Sequence, residues 1–176
     1  MLGTKTLFMA FCALSGAKGM DINMKQSMDI LIVEPGKAPR PAALPDNTLE
    51  AVEAALGGTA QVGCFLPQRV LMISREDAGG LAPNRCIPGG KGVVSGTFLL
   101  CGIPEEGCLF ASLNPGQQKA FQELFARPGE FMMVGSEVYA DPDDMADKVY
   151  SLWDTLGNGE TVVLTKWGGQ AQGMAV

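Results

Sequence analysis

The densest run of chemically versatile side chains in the sequence lies in GGLAPNRCIPGGKG, residues 79–92. Arg85 offers a rigid fork of five donors that suits a carboxylate or a phosphate. Asn84 can donate and accept at once, and Lys91 adds a mobile point charge. Cys86 follows Arg85 directly, and a neighbouring guanidinium lowers a thiol pKa. Asn84, Arg85 and Lys91 are therefore the candidate ligand- or partner-binding residues. The competing reading is structural. Asn84 then closes a turn, and Arg85 pairs with an acid such as Glu34 or Glu76.

Catalysis by this run is poorly supported. A cysteine nucleophile needs a base or oxyanion donors, and the chain contains no histidine. That absence removes Ser-His-Asp and Cys-His catalysis and His-based metal sites. The PGGKG stretch is also not a phosphate loop. The required glycine five residues before Gly90 is Arg85, and Gly92 stands where Ser or Thr is needed. A strand rather than a helix is expected to follow it. The paired acids Glu105-Glu106 and Asp143-Asp144 fall at a turn and a helix start, where carboxylates act as caps. No catalytic residue, metal or cofactor is expected.

The totals narrow the partners. Thirteen Lys and Arg against 19 Asp and Glu leave a formal charge of −6. General phosphate-backbone binding needs clustered positive charge, so nucleic acid is not an expected partner. The five cysteines form no C-x-x-C pair, and all but Cys86 lie in apolar stretches. They read as reduced thiols of a cytoplasmic protein. A 47% apolar and 18% charged composition over 176 residues can fill a globular core without staples.

The elements that must position the 79–92 loop follow from periodicity. MDILIVEPG (28–36) is a strand stopped by Pro35-Gly36, and a proline-rich connection follows it. DNTLEAVEAALGG predicts a helix capped by Asn47, with Leu49, Val52 and Leu56 on one face. AQVGCFLPQRVLMIS reads as two strands around Pro67-Gln68. GVVSGTFLLCGI (92–103) is a strand in which Gly96 permits a bulge or close approach. CLFASL (108–113) is its expected partner across the Pro-Glu-Glu-Gly turn. Asn114-Pro115 opens a second helix with Phe121, Leu124 and Phe125 on its apolar face. EFMMVG is a short strand. DPDDMADKVYSLWDTLG predicts a third helix, and ETVVLTK a last strand. The fold class is α+β: a mixed or mainly antiparallel sheet with about three helices packed on it.

Residues 28–167 are expected to form one globular domain, and 168–176 a flexible tail. Residues 1–27 read as an N-terminal extension that arises from start-codon choice, with Met20, Met24 and Met28 as alternative starts. The alternative is a weak signal peptide, with Lys5 before the apolar run from Leu7 to Leu14, which would make the protein secreted. That run is too short to cross a membrane. A monomer or homodimer is expected.

From Met28 onward the chain resembles the domain-of-unknown-function family 3846. The resemblance rests on ILIVEPGKAP, NTLEAVEAALGG, VLMISREDAGGLAPNR, VVSGTFLLCG and FASLNPGQQKAF, and covers about residues 28–126. It implies an accessory protein of phages, plasmids and conjugative elements, and it marks Leu81, Pro83, Asn84 and Arg85 as a family feature. It implies no activity. The function expected is a non-catalytic module that binds a host protein, for example in anti-restriction or anti-defence. The alternative is a nucleotide or small-molecule site, sequestering or enzymatic, at Gly79–Gly92.

Overall fold

The computed structural model describes residues 26–87, 92–104, 110–129, 131–134, 137–139, 161–166 and 171–175. Its centre is a five-stranded sheet in the order β2-β1-β7-β4-β3, formed by β1 (Met28–Val33), β2 (Arg40–Leu44), β3 (Ala60–Leu66), β4 (Val70–Arg75) and β7 (Phe98–Gly102). Every neighbouring pair is antiparallel, so the sheet is not mixed. The fold is α+β as expected.

Both faces of this sheet are covered. Met28, Ile30, Ile32, Leu71, Ile73 and Leu99 turn to one side, where helix α1 (Leu49–Leu56) packs with Val52 and Leu56. Leu31, Val33, Val70, Met72, Phe98 and Leu100 turn to the other, against helix α2 (Pro115–Leu124), Phe125 and Val94. This double burial explains why β1 and β7 read as continuous apolar runs rather than alternating ones. Each fully buried Val, Leu, Ile or Phe contributes roughly 1.5–3 kcal/mol. Phe98 meets Phe125 edge-on at 5.4 Å, which anchors the chain beyond α2 over the second face.

A two-stranded antiparallel ribbon, β5 (Pro83–Cys86) and β6 (Val93–Ser95), adds Val94 to that second face. A separate antiparallel sheet runs β11-β10-β8-β9, from β8 (Met132–Val134), β9 (Glu137–Tyr139), β10 (Thr161–Lys166) and β11 (Ala171–Ala175).

Several local expectations need correction. The described residues contain two α-helices rather than about three, and the predicted helix over residues 141–157 lies outside them. Residues 171–175, expected to fray, pair along β10 from Thr165↔Ala171 to Thr161↔Ala175. The proline-rich connection contains β2. As an end strand, β2 tolerates Pro41, which cannot donate to a ladder. Helix α1 is capped by Thr48 rather than Asn47, because Thr48 Oγ1 accepts from Ala51 N at 3.3 Å. The single strand over 92–103 is two, broken at Gly96. There φ is +74° and a Cβ would lie 2.6 Å from Leu81 Cδ1, so only glycine fits. The expected strand at 108–113 shrinks to one bridge, Gly102↔Ala111. Of the predicted apolar face of α2, Phe121 and Phe125 are buried, but Leu124 is exposed.

The β3–β4 turn carries backbone strain. Gln68 and Arg69 both occupy the left-handed region, at φ 60° and 59°. Side chains with a Cβ cost roughly 1–2 kcal/mol each there. Three bonds hold the conformation: Gln117 Nε2 to Gln68 O at 2.7 Å, Arg69 Nη2 to Pro104 O at 2.8 Å, and Ile103 N to Arg69 O at 2.9 Å. Gln117 is also the third residue of α2 and closes the capping box with Asn114. One side chain thus caps a helix and clamps a hairpin. Replacing Gln68 with glycine should relieve the strain at a smaller entropic cost. The expected result is a stability gain of about 0.5–1 kcal/mol in thermal or urea denaturation, and a loss for Gln68→Val. A Gln68→Gly protein that melts below wild type would contradict the strain assignment.

Candidate functional site

The residues singled out from sequence are not exposed in a loop. Pro83, Asn84 and Arg85 lie on β5 and are buried one after another. A regular strand would alternate its faces. Here the β5–β6 register shifts between Pro83 and Arg85, a bulge that re-aims the chain and lets both polar side chains turn inward. Asn84 is 1% exposed and Arg85 3%.

All their side-chain N–H donors are used inside the protein. Asn84 Nδ2 donates to Val33 O and to Gly96 O, each at 2.8 Å. Both neighbours are carbonyls, so the amide can point only one way. Its Oδ1 accepts from Arg85 Nη1 at 2.8 Å. Arg85 Nη1 also donates to Asn84 O at 2.9 Å. Nη2 donates to Lys37 O at 2.7 Å and Phe125 O at 3.0 Å, and Nε donates to Phe125 O at 3.1 Å. Five contacts match the five N–H groups of a guanidinium.

These bonds join parts of the chain far apart in sequence. Val33 ends β1, Lys37 lies in the following turn, Gly96 separates β6 from β7, and Phe125 follows α2. The Asn-Arg pair therefore fastens the β5–β6 ribbon to the sheet, the turn and the helix end. The pairing expected between Arg85 and Glu34 or Glu76 does not form, and every bonded acceptor is neutral. Glu34 instead receives Lys37 Nζ and Arg40 Nε, each at 3.2 Å, and these bonds hold its carboxyl below the ordinary value of 4.5. Burial without an opposite charge pushes the Arg85 pKa down from its ordinary value.

Lys91 lies outside the described residues. Cys86 is exposed, at the outer end of β5. Cys64 is half-buried, with its sulfur 3.8 Å from Met72 Sδ, and burial raises its thiol pKa. Cys101 is fully buried, and its thiol is pushed up to about 12. Among the described residues, no three acidic or cysteine side chains gather as metal ligands, and no helix is long and apolar enough to cross a membrane.

Sequence reading missed the acceptors of the knot, because main-chain carbonyls carry no residue-type signal. It also missed the grouping of Lys37 and Arg40 on Glu34. The i,i+3 spacing of Glu34 and Lys37 across Pro35-Gly36 was the available clue.

A double-covered antiparallel sheet, locked by a buried Asn-Arg pair on a bulged ribbon, defines an α+β domain with its most polar motif turned inward. The family model for DUF3846, a domain of unknown function, matches residues 28–126, which span the five-stranded sheet, the ribbon and both described helices. The chain belongs to that family. No curated protein and no solved structure gives a significant match.

Truncating Arg85 tests the role of the knot. Arg85→Ala removes five donors and strands buried carbonyls, so a loss of about 3–5 kcal/mol in urea unfolding is expected. Arg85→Lys, with three donors and no planar fork, should recover only part of it. An alanine variant as stable as wild type would refute the assignment. The thiols give an independent check on burial. Among the three described thiols, iodoacetamide mapping of the folded protein should modify Cys86 first, Cys64 more slowly, and Cys101 only after unfolding. Early labelling of Cys101 would contradict the core described above.

Proposed function

We propose that this protein is a non-catalytic binding module that engages a host macromolecule. The setting implied by the family resemblance is a mobile genetic element, where an accessory protein of this kind acts in the cytoplasm against a host restriction or defence factor. The observation that carries the reading is the internal use of Asn84 and Arg85. The side chains best equipped to grip a small ligand spend their donors on carbonyl oxygens of the protein itself. With no histidine in the chain, and with Cys101 held as a thiol and Cys64 raised, the catalytic options are also few. The fold then serves as a rigid scaffold, and recognition falls to its surface.

The alternative, a small-molecule site centred on Arg85 in the Gly79–Gly92 stretch, requires a guanidinium with donors to spare. Native mass spectrometry of tagged protein captured gently from its own host's lysate separates the two. The binding reading expects a stoichiometric macromolecular partner, retained on re-purification and titrating with purified protein. A small mass adduct of constant size, with no macromolecule, would overturn it in favour of the ligand site.

A further inference from the structure

We propose that the turn around Glu34–Arg40, together with the chain after α2, forms a docking surface for a carboxylate-rich segment of a partner protein. This deepens the binding reading above and rests on it. The first support is the buried guanidinium. Arg85 carries a full charge bonded only to carbonyl oxygens, so nothing it touches cancels that charge. A charge in a low-dielectric interior acts at longer range than one dissolved in water.

The second support is what lies at the surface beside it. Lys37 and Arg40 have side chains 67% and 56% exposed. Phe125 O and Lys37 O share the same Arg85 nitrogen, which brings the end of α2 alongside the turn. Arg127, also exposed, follows Phe125 by two residues. The carboxylates on these segments are Glu34, already shared by Lys37 and Arg40, Glu123, four residues before Arg127, and Glu130, three residues after it in sequence. Four cations, Lys37, Arg40, Arg127 and the buried Arg85, against these three acids leave a local excess of +1 on a chain whose total is −6. An acidic partner facing the rest of this protein would be repelled, so the charge both attracts and orients it.

The chemistry favours several separated carboxylates over one phosphate. A phosphate cradle needs converging N–H donors, but the Arg85 donors are all used and Lys37 N bonds Glu34 O at 3.2 Å. The available groups are long side chains on separate segments. Strand addition along β2 is also disfavoured there, because Pro41 has no N–H.

The test is fluorescence anisotropy with a labelled hexaglutamate peptide on the full chain. Saturable binding is expected, weakening on the order of ten-fold from ~20 to ~200 mM salt. Lys37→Glu and Arg127→Glu should each lose roughly five- to ten-fold, whereas Lys119→Glu, with the same change of net charge, should stay within about two-fold. Lys37→Gln and Arg127→Gln replace any glutamate variant that circular dichroism shows to be unfolded. No saturable binding by wild type, or an equal loss in Lys119→Glu, would overturn the proposal. So would tripolyphosphate binding more tightly than hexaglutamate in a Lys37-dependent way, which would indicate a discrete anion site. A lysate partner captured equally by wild type and Lys37→Glu would leave the binding reading standing and remove this surface from it.

Discussion

The guanidinium of Arg85 sits where three layers of the protein meet, and its requirements shape what surrounds it. A cation taken out of water costs several kcal/mol unless every N–H finds an acceptor. Here the acceptors are main-chain oxygens at the turn after β1 and at the residue after α2, with the main-chain and side-chain oxygens of the neighbouring Asn84. Asn84 extends the same network to the end of β1 and to the Gly96 break. Hydrogen bonds from a charged donor contribute more than neutral ones, about 1.5–3 kcal/mol each. The knot therefore fixes the ribbon against the end of β1, the β1–β2 turn and the end of α2. Close apolar contacts alone would tolerate sliding.

That constraint accounts for features that look unrelated in the chain. The bulge in β5 exists so that two successive side chains can face inward. Gly96, whose carbonyl reaches Asn84, must be glycine because its φ is +74° and a Cβ there would run into Leu81. Phe125 leaves its carbonyl for Arg85 and its ring for Phe98, so one residue serves the polar knot and the apolar core together. The β3–β4 turn shows a similar economy. Gln117 closes the capping box of α2 and holds a strained backbone in place.

The structural consequence is a division of labour. The interior consumes Asn84 and Arg85, and the charge of Arg85 is not cancelled by any acceptor it bonds. Lys37, Arg40 and Arg127 lie on segments that the knot itself draws together. The backbone under the proposed docking surface is fixed by buried bonds, which is the preorganisation that such a surface needs.

Much of the architecture was legible in residue order. The run Ile30 to Val33 announced a strand, Asn114-Pro115 announced a helix start, and Gly96 announced a bulge or close approach. These are local signals, set by periodicity, capping and φ, and they survive without knowledge of what lies opposite. Thr48 displaced Asn47 as a cap because neighbouring side chains compete for the same N–H within one turn. The fate of Asn84 and Arg85 was of another kind. Residue types showed that they could bind something. Only the tertiary structure decided that their partners are carbonyls of Val33, Lys37, Gly96 and Phe125. Main-chain oxygens occur at every residue, so sequence carries no mark of which of them will converge on a buried charge.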